Sequence, residues 1–204
     1  MTGPSSARRR GRPPASSAAS HVAIMDAVYA LLQEKSVRDL SMDEIAKRAG
    51  VGKPTLYKWW PSKAELVMAM FHERIARRRE TSGVKTAEEF IRSGVRRLIR
   101  ELNGLFGKVI GELIAEGQSE PEILRDLREH HMLPRRLATI AEIERGKASG
   151  ELSPDIDPEL LIDAIFGALY FQFLLRMAPL TERHGQELVD QVLRGVRARG
   201  ADPR

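Results

Sequence analysis

Between Lys53 and Trp59 the chain gathers two ammonium groups, a hydroxyl, a phenol and an indole into about two helical turns: Lys53, Thr55, Tyr57, Lys58 and Trp59. Lys53 and Lys58 suit phosphate oxygens. Thr55 and Tyr57 suit phosphates or base edges, and the aromatic rings suit thymine methyls in a major groove. Two tryptophans and a tyrosine within eight residues are costly decoration for an ordinary solvated helix face. Catalysis finds no comparable group of residues. Gly52-Lys53-Pro54-Thr55 superficially looks like the end of a phosphate-binding loop, but position 47 is Lys where that motif needs Gly, and no strand precedes it. HExxH, a nucleophile elbow and paired catalytic carboxylates are all missing. Zero cysteines remove disulfides, thiol catalysis and thiolate metal sites. The chain reads as a non-enzyme without a cofactor.

Two short helices must position that group. Ser41 is a good N-cap, and Glu44 three residues on completes a capping box. The helix so opened carries Met42, Ile45, Ala46 and Ala49 and stops at Gly50-Val51-Gly52, where Gly50 supplies a left-handed turn. The second helix starts near Lys53, and Pro54 costs little in its first turn. Leu56 and Trp60 form its buried seam, Pro61 ends it, and Ser62 caps the next helix. Helix, glycine turn, helix is the grammar of a helix-turn-helix.

The run AKRAGVGKPTLYKWWPSKAEL resembles the DNA-binding signature of the TetR (tetracycline repressor)/AcrR family of bacterial transcriptional regulators, AxxAGVSxGTLYxHFxSKxxL, over roughly residues 20–70. Gly52 and Pro54 stand for a commoner Ser and Gly. Trp59-Trp60 replaces His-Phe, so the family's His-to-phosphate contact is lost or passes to the Trp59 indole N–H. The resemblance implies a two-fold dimer of all-helical subunits, each with a three-helix DNA-binding domain and a larger domain that binds ligand and dimerises. The function implied is repression of a palindromic double-stranded operator, released by a small-molecule effector. On this reading the DNA-facing residues are Ser41, Met42, Lys53, Pro54, Thr55, Tyr57, Lys58, Trp59 and the phosphate-contacting Lys63.

Charge is segregated to match. Residues 1–80 hold 15 Lys and Arg against 8 Asp and Glu, net +7, whereas residues 81–204 hold 18 against 20, net −2. One end is built to meet a polyanion. Residues 1–19 form an expected disordered arm. In it Arg8, Arg9, Arg10 and Arg12 join the DNA-facing set, and Arg10-Gly11-Arg12-Pro13 resembles an AT-hook core. The arm either lies along an A·T-rich minor groove or makes unspecific phosphate contacts. Were it the main reader, the chain would be a nucleoid-type protein binding A·T-rich DNA without an operator.

Residues 20–80 are the expected DNA-binding domain with its connecting helix, and residues 81–204 the ligand-binding and dimerisation domain, giving about nine helices and an all-α fold. The first helix spans about Ser20 to Lys35, with the stripe Val22, Met25, Val28, Tyr29 and Leu32. His21 reads as a surface or phosphate-contacting residue. A fourth helix runs from Lys63 to about Glu80, ending in Arg74, Arg77, Arg78 and Arg79, and Thr81-Ser82-Gly83 breaks the chain. Beyond it come a capped helix from Thr86 to about Phe106, a short irregular one to Gly117, and a helix capped by Ser119 and Glu122 that Pro134 must kink before Gly150. The apolar helix Pro158 to Met177 and the last, Thr181 to about Arg199, complete the chain. The apolar helix must be buried on several sides. Its Leu161, Ile165, Ala168, Leu169 and Gln172, with Leu188, Val192 and Val196 of the last helix, are the expected homodimer interface. Phe106, Ile110, Leu113, Met132, Phe166, Tyr170 and Phe173 are the expected effector lining, with Phe90, Leu102, Leu137 and Met177 as further candidates and Glu112, Glu116, His130 and His131 as polar groups. His130-His131 lacks a third ligand at suitable spacing, so no metal site is expected. No apolar run approaches a bilayer span and no signal-peptide core follows the basic start, so the cytoplasm is expected, with no membrane partner.

Overall fold

Ile24, Met25, Val28, Leu31 and Leu32 recur at helical spacing, and all are buried on α1 (Ala15–Glu34). The computed structural model describes residues 15–76 and 85–196; the four arm arginines, Arg77–Arg79 and the break at Thr81-Ser82-Gly83 lie outside them. Helix α1 therefore opens five residues before its expected start and takes in the end of the expected disordered arm. Its stripe also differs: Val22 is 48% exposed, because the buried face centres on Ile24, Val28 and Leu31.

Against α1 pack α2 (Met42–Ala49) and α4 (Lys63–Ala76), with α3 (Lys53–Trp59) set on α2. Ser41 caps α2 by accepting the Glu44 N–H at 3.2 Å. The box stays half closed, because the Glu44 carboxylate takes the Lys35 ammonium at 2.6 Å instead of reaching back. Gly50 adopts φ 67° and its N–H reaches the carbonyls at the end of α2, ending the helix in the left-handed turn its sequence requires. Leu56 and Trp60 seal the underside of α3. Ser62 opens α4 by accepting the Glu65 N–H.

The remainder is α5 (Ala87–Leu102), α6 (Leu105–Gly117), α7 (Pro121–Leu127), α8 (Leu133–Ala148), α9 (Pro158–Ile162), α10 (Ala168–Leu175) and α11 (Glu182–Val196). Thr86 and Glu89 complete a reciprocal capping box on α5. Helix α5 stops at Leu102, four residues short of expectation, and α6 is regular rather than irregular. Its glycines serve close packing: a Cβ on Gly107 would lie 1.8 Å from the Leu102 carbonyl oxygen, and Gly111 receives the Phe173 ring. The box expected at Ser119 does not form; Glu120 is the N-cap residue, Pro121 starts the helix and Glu122 pairs with Arg125. Helices α7 and α8 are joined through a π turn, Arg128–Met132, directly before Pro134. This is the expected interruption, made by widening one turn rather than breaking the rod. A second π turn, Asp163–Gly167, joins α9 to α10. Counted through these turns, the described residues form nine continuous helices and no strand.

Helix α5 is the centre of this half, packing on α6, α8 and α11. Gly185 of α11 lets the helices close: a Cβ there would sit 2.3 Å from Ile99 Cδ1. Arg92 crosses the same seam to Asp190 and Gln186. The stretch Pro158–Leu175 is long and apolar enough to cross a bilayer by composition, which corrects the expectation that no run approaches that length. One of its faces, Leu161, Ile162, Ile165 and Leu169, is buried in the chain's own core.

Candidate nucleic-acid interface and effector region

On α3, Lys53, Pro54, Tyr57 and Lys58 are exposed, and Thr55 and Trp59 are half-buried. The Lys53 ammonium pairs with Asp43 of α2 at 2.7 Å, a hydrogen bond that raises its pKa, and it lies 6.0 Å from the Tyr57 ring centre. Lys58 lies over the Trp59 ring. Three cation-bearing or aromatic side chains thus share one exposed ridge over a sealed underside, a shape that fits a groove lined with phosphates. Lys63, in the first turn of α4, donates to the Arg38 carbonyl at 3.4 Å. Ser41 is exposed, with its hydroxyl engaged in capping. Met42 is the exception: its side chain is buried in the core, so it cannot touch a groove. His21 is also turned inward, contacting Glu73 at 2.5 Å and tilted on the Trp60 ring, where it braces α1 against α4.

In the second half, Phe106, Ile110 and Leu113 are buried, while Met132, Phe166, Tyr170 and Phe173 are half-buried. Phe166 seats on Gly94 and Phe173 on Gly111, each about 3.5 Å from where a Cβ would be, so both rings are core packing. Leu137 and Met177 are exposed and leave the candidate lining. A polar group missed by sequence reading sits beside Phe106. Arg135 pairs with the nearly buried Glu101 at 2.8 Å and lies over the Phe106 ring. Burial pushes the Tyr170 phenol up to about 12, and burial with Arg135 and His72 nearby drives His131 down to about 2, so both are neutral. His131 stacks on His72, their ring nitrogens 2.7 Å apart, and its Nε2 has no hydrogen-bond partner among the described residues.

A cavity of about 280 Å³ opens between α4 and α7, walled by Trp60, Met68, His72, Leu113 and Leu127 among others. Of the seven expected lining residues it takes only Leu113. It lies nearer the DNA-binding half than expected because α4 and α7 cross there. Glu65, Asp126 and His130 also border it, and one donor atom of each lies within 4.8 Å of the others. Glu65 comes from α4, a helix remote in sequence, and His131 is not part of this group.

Two residues of α6 hold the halves together. Lys108 donates to the carbonyls of Leu32 and Lys35 at 3.3 and 2.9 Å, capping the end of α1. Glu112, expected as a pocket anchor, instead accepts the Val37 N–H at 2.6 Å.

Interface residues sort into two sets. Leu161, Ile165 and Leu169 are consumed by their own core and cannot meet a partner. Gln172 hydrogen-bonds His184 of α11 at 2.8 Å, within the subunit. Ala168, Leu188 and Val192 are half-exposed, and the Val196 side chain is outside the described residues. From Leu160 to Met177 the large apolar side chains open to solvent are Leu160, Phe171, Leu174, Leu175 and Met177.

Comparison with known proteins follows the same division. Residues 24–70 match the family model of bacterial regulatory proteins of the tetR family, and residues 86–192 match the tetracyclin repressor-like C-terminal domain. The chain is 34% identical over 193 residues to the helix-turn-helix-type transcriptional regulator YdeS of Bacillus subtilis (strain 168), covering 95% of this chain and 96% of that one. It is 32% identical over 167 residues to the regulator Rv1556 of Mycobacterium tuberculosis (strain ATCC 25618 / H37Rv), covering 80% of each. Among solved structures, the TetR family transcription regulator SCO0332 aligns with a TM-score of 0.72 at 25% identity, over 87% of this chain and 98% of that one.

Proposed function

The chain belongs to the TetR family of bacterial helix-turn-helix transcriptional regulators, and from that premise we propose that it is a homodimeric repressor of a palindromic operator, released by a small-molecule effector. The observation that carries the reading is the exposed ridge of α3, with Lys53, Tyr57 and Lys58 standing on a helix whose underside is fixed by Leu56 and Trp60. A reader fixed on its underside and charged on its exposed side suits a major groove. The unpaired apolar face of α9 and α10 supports the dimer. Leu160, Phe171 and Leu174 recur at helical spacing, and Gly167 between them has open space where a second helix can approach. Two half-sites on one palindrome multiply the specificity of one helix. The effector binds in the second half and acts through α4 and α6, whose Lys108 and Glu112 grip the end of α1; it must bind the released state better by the amount that it weakens operator binding. Residues 20–80 act as reader and lever and residues 81–204 as sensor and dimeriser. The protein catalyses no reaction and works in the cytoplasm, where its DNA lies.

Selection of bound duplexes from a random pool, followed by salt titration of the winner, tests this. Enrichment of an inverted repeat bound at least about a thousandfold above random DNA is the expected result. Enrichment of A·T-rich sequence alone, with a steep salt slope, overturns it.

A further inference from the structure

We propose that Glu65, Asp126 and His130 form a site for a divalent transition-metal ion of the Zn²⁺ class, tying the start of α4 to α7. One carboxylate oxygen each of Glu65 and Asp126 and one ring nitrogen of His130 lie within 4.8 Å of one another. A tetrahedral ion at about 2.0–2.1 Å from each donor sets them roughly 3.4 Å apart, so small rotamer changes close the set. Three further observations converge. His130 Nδ1 lies 3.2 Å from the Asp126 carbonyl oxygen; donating there leaves the lone pair on Nε2, the arrangement that orients a metal-binding imidazole. Among the described residues neither Glu65 nor Asp126 forms an ion pair, so two neighbouring carboxylates stand without a cation. The three also border the 280 Å³ cavity, so an ion held by three protein donors keeps an open position facing space for water or a chelating molecule.

The donor chemistry selects the ion. An imidazole with two carboxylates suits Zn²⁺, Co²⁺ or Ni²⁺. Mg²⁺ and Ca²⁺ prefer all-oxygen shells, and Cu⁺ wants sulfur ligands that this site does not offer. The placement gives the ion a lever. Glu65 lies in the first turn of α4, and Trp60, which ends the reading helix, lines the same cavity. An ion bridging Glu65 to Asp126 and His130 fixes the root of α4 against the second half. Given the operator-binding reading above, on which this step rests, metal occupancy then shifts operator affinity.

The test uses the full-length protein without an affinity tag, titrated with Zn²⁺ by calorimetry and with Co²⁺ by its visible absorption. The expected result is one ion per chain, bound at least about tenfold more weakly after Glu65→Gln, Asp126→Asn or His130→Ala, each checked for unchanged helicity. His184→Ala, remote from the site, leaves binding unchanged. Wild-type binding in all three variants, or an equal loss on His184→Ala, overturns the site. Operator affinity measured with Zn²⁺ and with chelator is expected to differ at least about fivefold in wild type alone. Equal affinities overturn the lever while the titration still decides the site. Failure to select any operator counts against the repressor reading and leaves the metal result standing.

Discussion

Tyr57 is 46% exposed while Leu56 beside it is sealed, so truncating Tyr57 removes a contact without touching the core. Tyr57→Ala is expected to weaken binding to the selected operator by about 1–3 kcal/mol, roughly five- to 150-fold, with thermal stability unchanged. Lys63→Ala removes one ammonium from the first turn of α4. It is expected to weaken specific and random duplexes alike and to lower the salt slope by about one, read by fluorescence anisotropy across salt concentrations. A Lys63→Ala protein with wild-type slope would remove that residue from the phosphate-contacting set. At this scale the reading helix was legible because each of its residues announces its side by type: Leu56 in, Lys53, Tyr57 and Lys58 out. Met42 was not. It precedes a charged pair at a helix start, and only the packing of α2 on α1 turns its side chain into the core. The inward turn of His21 is hidden for the same reason, since Glu73 lies on another helix.

At the scale of elements, ends proved more legible than joints. Ser41, Gly50, Ser62 and Thr86 place their helix ends by local hydrogen bonds that a few neighbouring residues determine. The π turns and the regularity of α6 depend on contacts far along the chain, which periodicity does not carry. Gly107 is an example: it lies in the segment expected to be irregular, yet it is where α6 folds back on the end of α5. Gly107→Ala would set a methyl against the Leu102 carbonyl, and backbone cannot yield as a side chain can. A loss of at least about 3 kcal/mol is expected in denaturant unfolding, with Gly167→Ala, which meets nothing within the subunit, as the folded control. The joint between halves allows a second test. Val37 is fully buried and the Glu112 carboxylate accepts its N–H, so Glu112→Ala leaves a buried donor without its partner. The expected cost is about 1–3 kcal/mol, with faster amide exchange at Val37 than in wild type. Exchange unchanged at Val37 would mean that α6 does not hold the end of α1. The metal-binding trio belongs here too: Asp126 and His130 are four apart on one rod, but Glu65 arrives from a helix about sixty residues earlier, beyond the reach of spacing rules.

For the whole molecule, the decisive question is what covers α9 and α10. So apolar a helix needs more than one buried side, but three of the residues expected to meet a partner are buried within the subunit. Leu161, Ile165 and Leu169 fall on the inner side of the helix, and the widened π turn between α9 and α10 shifts the register of everything after it. The outer side carries Phe171 at 56% exposure with Leu174 and Leu175 beside it, in a chain whose other large apolar side chains are mostly buried. An apolar stripe of this kind, continuous along a helix and left in water, favours self-association. A two-fold contact is the closed way to bury it, since each copy presents the same face. Phe171→Glu combined with Leu174→Glu places two like charges at the centre of that contact. The expected outcome is a monomer by sedimentation equilibrium, with unchanged helicity and operator binding weakened at least about a hundredfold, because a single reader loses its second half-site. A dimer that survives both substitutions would move the interface off this face. If the two-fold operator were then still bound as tightly, the pairing of α9 and α10 would have no part in reading DNA.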